Sequence, residues 1–372
     1  MADPLTREAP STTGSPPTVP LGSPHATSTN QSEPVAIAVD TEPDQLEADD
    51  ASTTDDASSI QDGSSSYTAS LSSSIVDYPM HYGRRYHAYR SGSYPIPNDE
   101  HEMERLEVVH AMTVKVIGDK LFLAPIQKDR VNKILDIGTG TGIWAMEMGD
   151  LLPNAEIIGN DLSAIQPDWV PSNVKFEIDD VESPWLGNRK YDYIFCRYML
   201  CGIGDWPKLV QNIFDHLNPG GWAEFQDMDS LYYSDDGTLT EKHATRKWNK
   251  QIVETMNSIN RDAQPAPKLQ GWVQDAGFQN IQHQRFKVPL GPWAKDAHFK
   301  EIGMYSLAVI MDGLEAFSMQ IYCDVLGYTK EEVMVMLSEV RNEMKTLHTF
   351  HALWDLHVVY GQKPLEAETQ EA

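Results

Sequence analysis

The alternation of hydrophobic and polar positions predicts strands and helices in turn from about residue 98 onward. Short apolar runs, typical of buried strands, alternate with longer segments of helical periodicity. The predicted strands are 133–137, 156–160, 174–178, 191–196, 222–227, 281–288 and 354–360. This order is typical of a parallel sheet with crossover helices. We therefore expect an α/β fold, with a doubly wound, mostly parallel, seven-stranded Rossmann-like sheet.

Helical spacing fills most of the gaps between these strands. Asn98 or Asp99 is placed to cap a first helix that runs to about Leu121. Further helices are predicted up to Leu152 and over 206–217, 240–260 and 268–276. Residues 292–350 are largely helical in pattern and do not continue the alternation, so we predict that they form a cap inserted into the sheet domain.

The first 77 residues differ in composition from the rest. Residues 1–75 hold 12 acidic side chains and one basic side chain, Arg7, which gives −11 of the total charge of −26. Such a Ser/Thr-rich segment buries too little apolar surface to offset its ordering entropy. We predict a disordered acidic tail over 1–77 and one domain over 78–372, with an aromatic and basic arm at its start. The tail is interpreted as a dispensable extension, with a partner-binding or phosphorylated arm as the alternative.

Composition excludes several classes of protein. The net charge of −26 argues against attraction to nucleic acid. No apolar run approaches about 18 residues, so we expect no membrane span, and no secretory signal is recognisable. Cys196, Cys201 and Cys323 have neither disulfide-framework nor zinc spacing. We expect a cytoplasmic protein, with the nucleus as the alternative.

The most informative segment is the strand and glycine-rich turn 133–144. Its glycines stand at 138, 140 and 142, whereas the dinucleotide fingerprint would need the third glycine at Ile143. Asp136 precedes the first glycine by two residues. A carboxylate there would crowd a pyrophosphate, but it suits a ligand that carries an ammonium group. The pattern favours S-adenosylmethionine (SAM) and disfavours an NAD-dependent dehydrogenase.

Later strand ends supply further candidates. Asp161 ends the second strand 23 residues after Gly138, where a carboxylate can accept hydrogen bonds from both ribose hydroxyls. Asp180 with Val181 follows the third strand and is predicted to meet adenine, with Asp179 as the alternative register. Arg197 follows the fourth strand. The predicted cofactor-binding residues are Asp136, Gly138, Thr139, Gly140, Gly142, Asp161, Asp180, Val181 and Arg197.

No catalytic residue can be assigned from the sequence. Methyl transfer from a sulfonium is an in-line displacement in which the protein mainly aligns the reactants, so no nucleophile motif is required. His87, His110 and His298 are candidate general bases, and each has a structural or surface role as its alternative. His348, His351 and His357 straddle a predicted helix–strand boundary, so we expect no metal site. On the fifth strand, alternation places Glu224 and Gln226 on one face and Asp227 and Asp229 on the other.

With these residues placed, the chain from about Tyr86 to Pro364 resembles the fungal LaeA-type methyltransferase family. The resemblance is carried by 87–94, 97–100, 136–144, 161–167, 182–185, 205–207, 219–222 and 354–364. The Ile165-Gln166-Pro167 and Glu182–Trp185 elements are more specific than the glycine motif. The sequence departs from the regulator LaeA itself at Thr139, where cysteine is frequent, and at Tyr94–Pro97. These differences favour the broader family.

The resemblance implies a class I SAM-dependent methyltransferase. Members act in secondary-metabolite pathways or as nuclear regulators of them. We therefore expect methyl transfer to a small-molecule acceptor. The alternatives are a LaeA-like nuclear regulator that acts in a protein complex, with the acidic tail as interaction arm, and a SAM-fold scaffold without catalysis.

Overall fold

The computed structural model describes residues 73–346 and 349–365, which build a seven-stranded sheet with helices on both faces. The strands are β1 Lys133–Ile137, β2 Glu156–Asp161, β3 Val174–Ile178, β4 Tyr191–Arg197, β5 Leu217–Tyr233, β6 Gln279–Pro289 and β7 Leu353–Gln362. Their order is β3-β2-β1-β4-β5-β7-β6. Strands β1 to β5 pair in parallel, and β7 runs antiparallel to both of its neighbours. The predicted seven-stranded, mostly parallel fold is confirmed.

Seven helices surround the sheet in the described part of the chain. They are α1 Glu100–Val116, α2 Ile143–Leu151, α3 Trp206–His216, α4 Ala244–Ser258, α5 Leu269–Asp275, α6 Ala297–Met319 and α7 Lys330–Met344. Helix α6 continues into a π-helical segment, Gln320–Val325. Shorter elements are a helical turn, Ser73–Val76, a 3₁₀ turn, Ala266–Lys268, and a hairpin that pairs Met80–His81 with Arg84–Arg85.

Helix α1 ends earlier than its apolar pattern predicts. Asp99 caps its start by accepting a hydrogen bond from the Glu102 N–H. The helix stops at Val116, not near Leu121, because Gly118 and Asp119 both take left-handed backbone conformations, with φ of +82° and +56°. Strand β5 also extends beyond the predicted 222–227, because its pairing with β7 continues as far as Tyr233.

The predicted tail lies mostly outside the described residues, and its described end contains the helical turn Ser73–Val76. The following segment, 78–99, is hereafter called the arm. The Tyr78 hydroxyl accepts from the Ala164 N–H and donates to the Ala164 carbonyl oxygen, and the Asn98 amide donates to the Ser163 hydroxyl. The arm therefore packs across the loop that follows β2.

Hydrophobic cores fill both faces of the sheet. On one face Ile134 and Tyr193 pack against α2, and on the other Leu135 and Ile194 pack against α3 and α5. A third cluster joins α1, α4, α6 and α7 to β6 and β7. It includes the helices of 292–350, whose role as a cap stays a prediction. Within the described residues, Ala297–Val325 is long and apolar enough to cross a membrane by length and composition, but 56% of its apolar window is buried inside the protein. Core helices of soluble proteins meet the same criterion, so the finding does not identify a span.

Candidate active site

A cavity of about 320 Å³ opens at the carboxyl ends of β1, β2 and β4. The order of the strands reverses between β1 and β4, and such a switch point is where open α/β sheets bind ligands. Seven of the nine predicted cofactor residues line the cavity: Gly138, Thr139, Gly140, Asp161, Asp180, Val181 and Arg197. The structure does not place the other two, Asp136 and Gly142, in its wall.

The three glycines of the turn have different roles. All three have a positive φ angle, a backbone conformation that residues bearing a Cβ atom rarely adopt. A Cβ on Gly138 would lie 2.3 Å from the Met199 Sδ atom, at the cavity wall. A Cβ on Gly142 would instead lie 2.4 Å from the ring of Phe176, in the core beneath the turn. Gly142 therefore permits packing under the loop, and its assignment to the cofactor site stays a prediction.

Asp136 lies behind the loop. It is 3% exposed, and its Oδ2 atom accepts a hydrogen bond of 2.5 Å from the Thr139 hydroxyl. Burial raises the pKa of Asp136 to about 7. A ligand in the cavity would meet Thr139 before Asp136. The assignment of Asp136 to the cofactor site stays a prediction.

Asp161 faces the cavity from the end of β2. Its two oxygens accept from the Gly140 N–H and the Ser163 N–H, both at 2.9 Å. Burial raises the pKa of Asp161 to about 6. A carboxylate has about four lone-pair positions, so acceptor capacity remains for a ribose hydroxyl. The ribose role of Asp161 stays a prediction.

Gln166 braces the same loop, which sequence reasoning missed. Its Nε2 atom donates to the Gly140 carbonyl oxygen at 2.5 Å and to the Ser163 carbonyl oxygen at 3.1 Å. The glycine turn and the loop after β2 are thus linked through both Asp161 and Gln166. The Ile-Gln-Pro element marked the family in the sequence, but nothing in the spacing indicated this contact.

The loop after β3 presents both candidate carboxylates and a backbone donor. Asp180 accepts from the Glu182 N–H and the Ser183 hydroxyl, and it pairs with Arg90 of the arm at 3.3 Å. Asp179 also lines the cavity, so the register between the two stays open. Among the described residues the Val181 N–H has no hydrogen-bond partner, and it is therefore available to an adenine ring nitrogen.

Arg197 reaches the cavity with part of its side chain buried beneath the wall. Its Nη2 atom lies 2.9 Å from the Nδ1 atom of His110, and its Nη1 atom is buried without a partner in the described residues. Burial and the nearby Arg197 charge lower the pKa of His110 to about 3, so this imidazole is neutral. His110 lies 3.2 Å from Glu147, and because the imidazole is neutral this contact is not an ion pair.

The candidate histidines lie in different surroundings. Of the three candidate bases, His87 lines the cavity, whereas His110 does not and His298 is exposed on α6. His351 bonds to Asp236, and His357 bonds to the neighbouring strand's His283; His348 lies outside the described residues. In the part of the chain that the structure describes, no three His, Cys, Asp or Glu side chains are grouped to hold a metal ion.

Neither predicted face of β5 supplies a charged group to the cavity. The Glu224 carboxylate accepts from the N–H groups of residues 123 and 124, and Gln226 donates to it. Asp227 accepts from the Met199 N–H at 2.9 Å and so shapes the loop after β4; burial raises the pKa of Asp227 to about 8. The β5 side chains that line the cavity are Met228, Ser230 and Tyr232.

Away from the glycine turn the cavity continues into a chamber walled by large side chains. We call this part the inner chamber; its walls include Met112, Tyr232, Trp248, Ile310, Phe317 and Trp354. The two indole N–H groups are engaged, with Trp248 donating to Ser318 and Trp354 to Ser306. These residues come from α1, β5, α4, α6 and β7, so no local sequence pattern indicated them.

Comparison with known proteins agrees with this geometry. Residues 108–283 match a family model described as a methyltransferase domain. Methyltransferase pytC of Aspergillus terreus is 46% identical over 300 residues, which cover 80% of this chain and 92% of that protein. The secondary metabolism regulator laeA of Aspergillus flavus is 35% identical over 292 residues, 76% of each chain. The probable methyltransferase tdiE of Emericella nidulans is 32% identical over 263 residues, 71% of this chain and 82% of that one.

Proposed function

We propose that this chain, which belongs to the fungal LaeA-type family of class I SAM-dependent methyltransferases, methylates a small molecule of secondary metabolism. The observation that carries the proposal is the continuity of the cavity. One end is built from the glycine turn, Asp161 and Val181, and the other end is the apolar inner chamber. The two reactants of a methyl transfer would therefore share one enclosed space.

The residues of the chain hold and align the reactants. When bound, SAM supplies an electrophilic methyl group on a sulfonium. Asp161 would accept the ribose hydroxyls, and the Val181 N–H would donate to the adenine ring. The apolar walls of the inner chamber exclude water and fix the acceptor in line, which supplies much of the rate enhancement in such displacements.

The elements that cover the cavity favour a small molecule as the methyl acceptor. Tyr94 and neighbouring arm residues line one side, and α6 lines another through Val309 and Phe317. The arm is fastened beside the cofactor end by the Arg90–Asp180 pair and by the bond from Asn98 to Ser163. A detached metabolite enters such a space more readily than a side chain on a folded protein surface.

The proposal is tested by following the methyl group. The full chain is incubated with methyl-labelled SAM and a fractionated fungal extract, and label is sought separately in small molecules and in proteins. We expect label in a small-molecule fraction, and we expect it to be lost in Asp161→Asn and kept in the exposed-loop control Asp168→Asn. Label confined to proteins would refute the proposal.

A second candidate is a LaeA-like regulator that acts in a protein complex. It is supported by relatives named as secondary metabolism regulators, which are 34–35% identical over 292 residues. Compartment separates the two candidates. We propose the cytoplasm for the metabolic enzyme, whereas a regulator requires the nucleus. A fluorescently tagged full chain that concentrates in nuclei, together with label in proteins alone, would favour the regulator.

A further inference from the structure

A buried ion pair lies in the wall of the cavity. Glu102 and Arg105 are one turn apart on α1, and their side chains are 3% and 8% exposed. The Arg105 Nε atom donates to Glu102 Oε2 at 2.9 Å, and its Nη2 atom donates to Oε1 at 2.5 Å. Both residues line the cavity. Apolar replacements of buried ion pairs are often neutral or stabilising, so folding alone does not account for this pair.

The guanidinium group has donors to spare. Arg105 uses Nε and Nη2 for Glu102, and its Nη1 atom has no partner among the described residues. The group also lies 4.9 Å from the centre of the Phe317 ring on α6. Glu102 and Phe317 thus hold the planar guanidinium from two sides and leave one edge for a ligand.

Tyr94 of the arm is a second available donor. Its hydroxyl forms no hydrogen bond within the described residues, and its ring lines the same cavity. Burial raises the pKa of Tyr94, so the hydroxyl stays protonated at neutral pH. The positive charge of Arg105 acts on the Tyr94 hydroxyl and partly offsets the effect of burial on its pKa.

Most other polar groups of the inner chamber are already engaged. The exception is the Tyr232 hydroxyl, which forms no hydrogen bond within the described residues; burial raises its pKa, so it is neutral. Asn249 accepts from the Tyr232 N–H and donates to the Ser230 carbonyl oxygen. The Ser230 hydroxyl donates to the Ala263 carbonyl oxygen, and the Ser306 hydroxyl accepts a hydrogen bond from the Trp354 indole N–H. An anionic group on an otherwise apolar ligand would therefore pair with the Arg105 guanidinium, and the neutral Tyr94 hydroxyl is a further donor to it.

We infer that Arg105, with Tyr94, binds an anionic oxygen of the methyl acceptor, a carboxylate or an ionised hydroxyl on an apolar, ring-sized body. This inference rests on the proposed function, because it assigns the inner chamber to the acceptor. The carboxylate of the cofactor has the same chemistry. The contact with Phe317 places the guanidinium against the cap helix, on the chamber side, and so favours the acceptor.

The test uses probes that need no turnover. The full chain is saturated with S-adenosylhomocysteine (SAH) and titrated calorimetrically with 2-naphthoate and with its neutral isostere, 2-naphthamide. Charge-assisted hydrogen bonds from an arginine predict that wild type binds the carboxylate at least tenfold more tightly. The double variant Glu102→Gln/Arg105→Met removes both charges, so it avoids a stranded buried carboxylate. We expect it to bind both probes equally.

Controls separate a ligand role from a structural one. Arg341→Met breaks an ion pair with Glu315 outside the cavity wall and should keep the wild-type preference. Tyr94→Phe should reduce the preference severalfold. A general loss of structure would weaken both probes alike and leave their ratio unchanged, whereas loss of an anion contact changes the ratio.

Three outcomes would overturn the inference. The first is that wild type shows no preference for 2-naphthoate, which includes the case in which neither probe binds. The second is that the double variant keeps the wild-type preference. The third is a tenfold loss of SAH affinity in the double variant, which would assign Arg105 to the cofactor carboxylate. Transfer of labelled methyl groups is measured separately. A negative result there refutes the proposed function without deciding whether Arg105 binds the probe.

Discussion

Asp161→Asn is predicted to weaken SAH binding and to abolish part of its pH dependence. The carboxylate already accepts from the N–H groups of Gly140 and Ser163. Asparagine keeps the shape but turns one oxygen into an NH₂ group, which must oppose one of those two N–H donors. Two charge-assisted bonds to ribose are worth about 1.5–3 kcal/mol each, and one neutral bond survives. We expect a net loss of at least about 2 kcal/mol, which is a rise in Kd of about 30-fold or more.

The pH dependence follows from the raised pKa of Asp161, about 6 without ligand. Ribose hydroxyls donate to the ionised carboxylate, so this contribution to affinity is present above pH 6 and is lost as the pH falls below it. Wild type should lose up to about tenfold in affinity per pH unit below pH 6. Asp161→Asn should lack this component.

The assay is calorimetric titration with SAH from pH 5 to pH 8, with Asp168→Asn as the control. Asp168 is exposed in the same loop after β2, so its replacement should leave the wild-type profile unchanged. The reasoning is refuted if Asp161→Asn binds within threefold of wild type at pH 7.5. It is also refuted if the two proteins show parallel profiles below pH 6.

Three further predictions concern the loop and the arm. Gly142→Ala should lower the free energy of unfolding in urea by about 2–4 kcal/mol, because its Cβ meets the Phe176 ring at 2.4 Å. Gly187→Ala, with similar φ but open space, should cost about 1 kcal/mol, and equal losses would exclude the clash. Gln166→Ala should raise the Kd for SAH severalfold by freeing the glycine turn; an unchanged Kd would mean that the brace is dispensable. Arg90→Ala should speed SAH release in stopped-flow experiments by up to about fivefold, the worth of one exposed ion pair, whereas an unchanged rate would show that this pair does not hold the arm.

The sheet was predictable because its information is local. Strands β1 to β4 are five to seven residues long and are built around short apolar stretches, and the turns between them carry proline, glycine or asparagine. The ends of the helices were harder to predict from the sequence. The left-handed pair Gly118 and Asp119 stops α1 although the apolar pattern continues to Leu121 and Leu123. A glycine followed by an aspartate is a turn signal that competes with helical periodicity.

The residues at the cofactor end of the cavity were also predictable from local sequence, but the direction in which each of them faces was not. Spacing shows which residues belong to the glycine turn, and it does not show which side of the turn they face. Asp136 and Gly142 were therefore grouped with the other cofactor candidates, although neither lines the cavity. The inner chamber could not be predicted from the sequence because five separate elements contribute to it. Glu102 and Arg105 look like an ordinary surface pair on a helix, and only tertiary packing buries them.

The position of β7 has a consequence for how the chain folds during synthesis. Strand β6 reaches the sheet solely through β7, which is completed 73 residues after β6 ends, at residue 362 against residue 289. At typical translation rates β6 waits several seconds without a partner. An apolar strand left open for that time would invite pairing with other chains. Strand β6 instead carries mainly Gln, Asn, His, Arg and Lys side chains, so its polarity protects the nascent protein until the final strand inserts beside it.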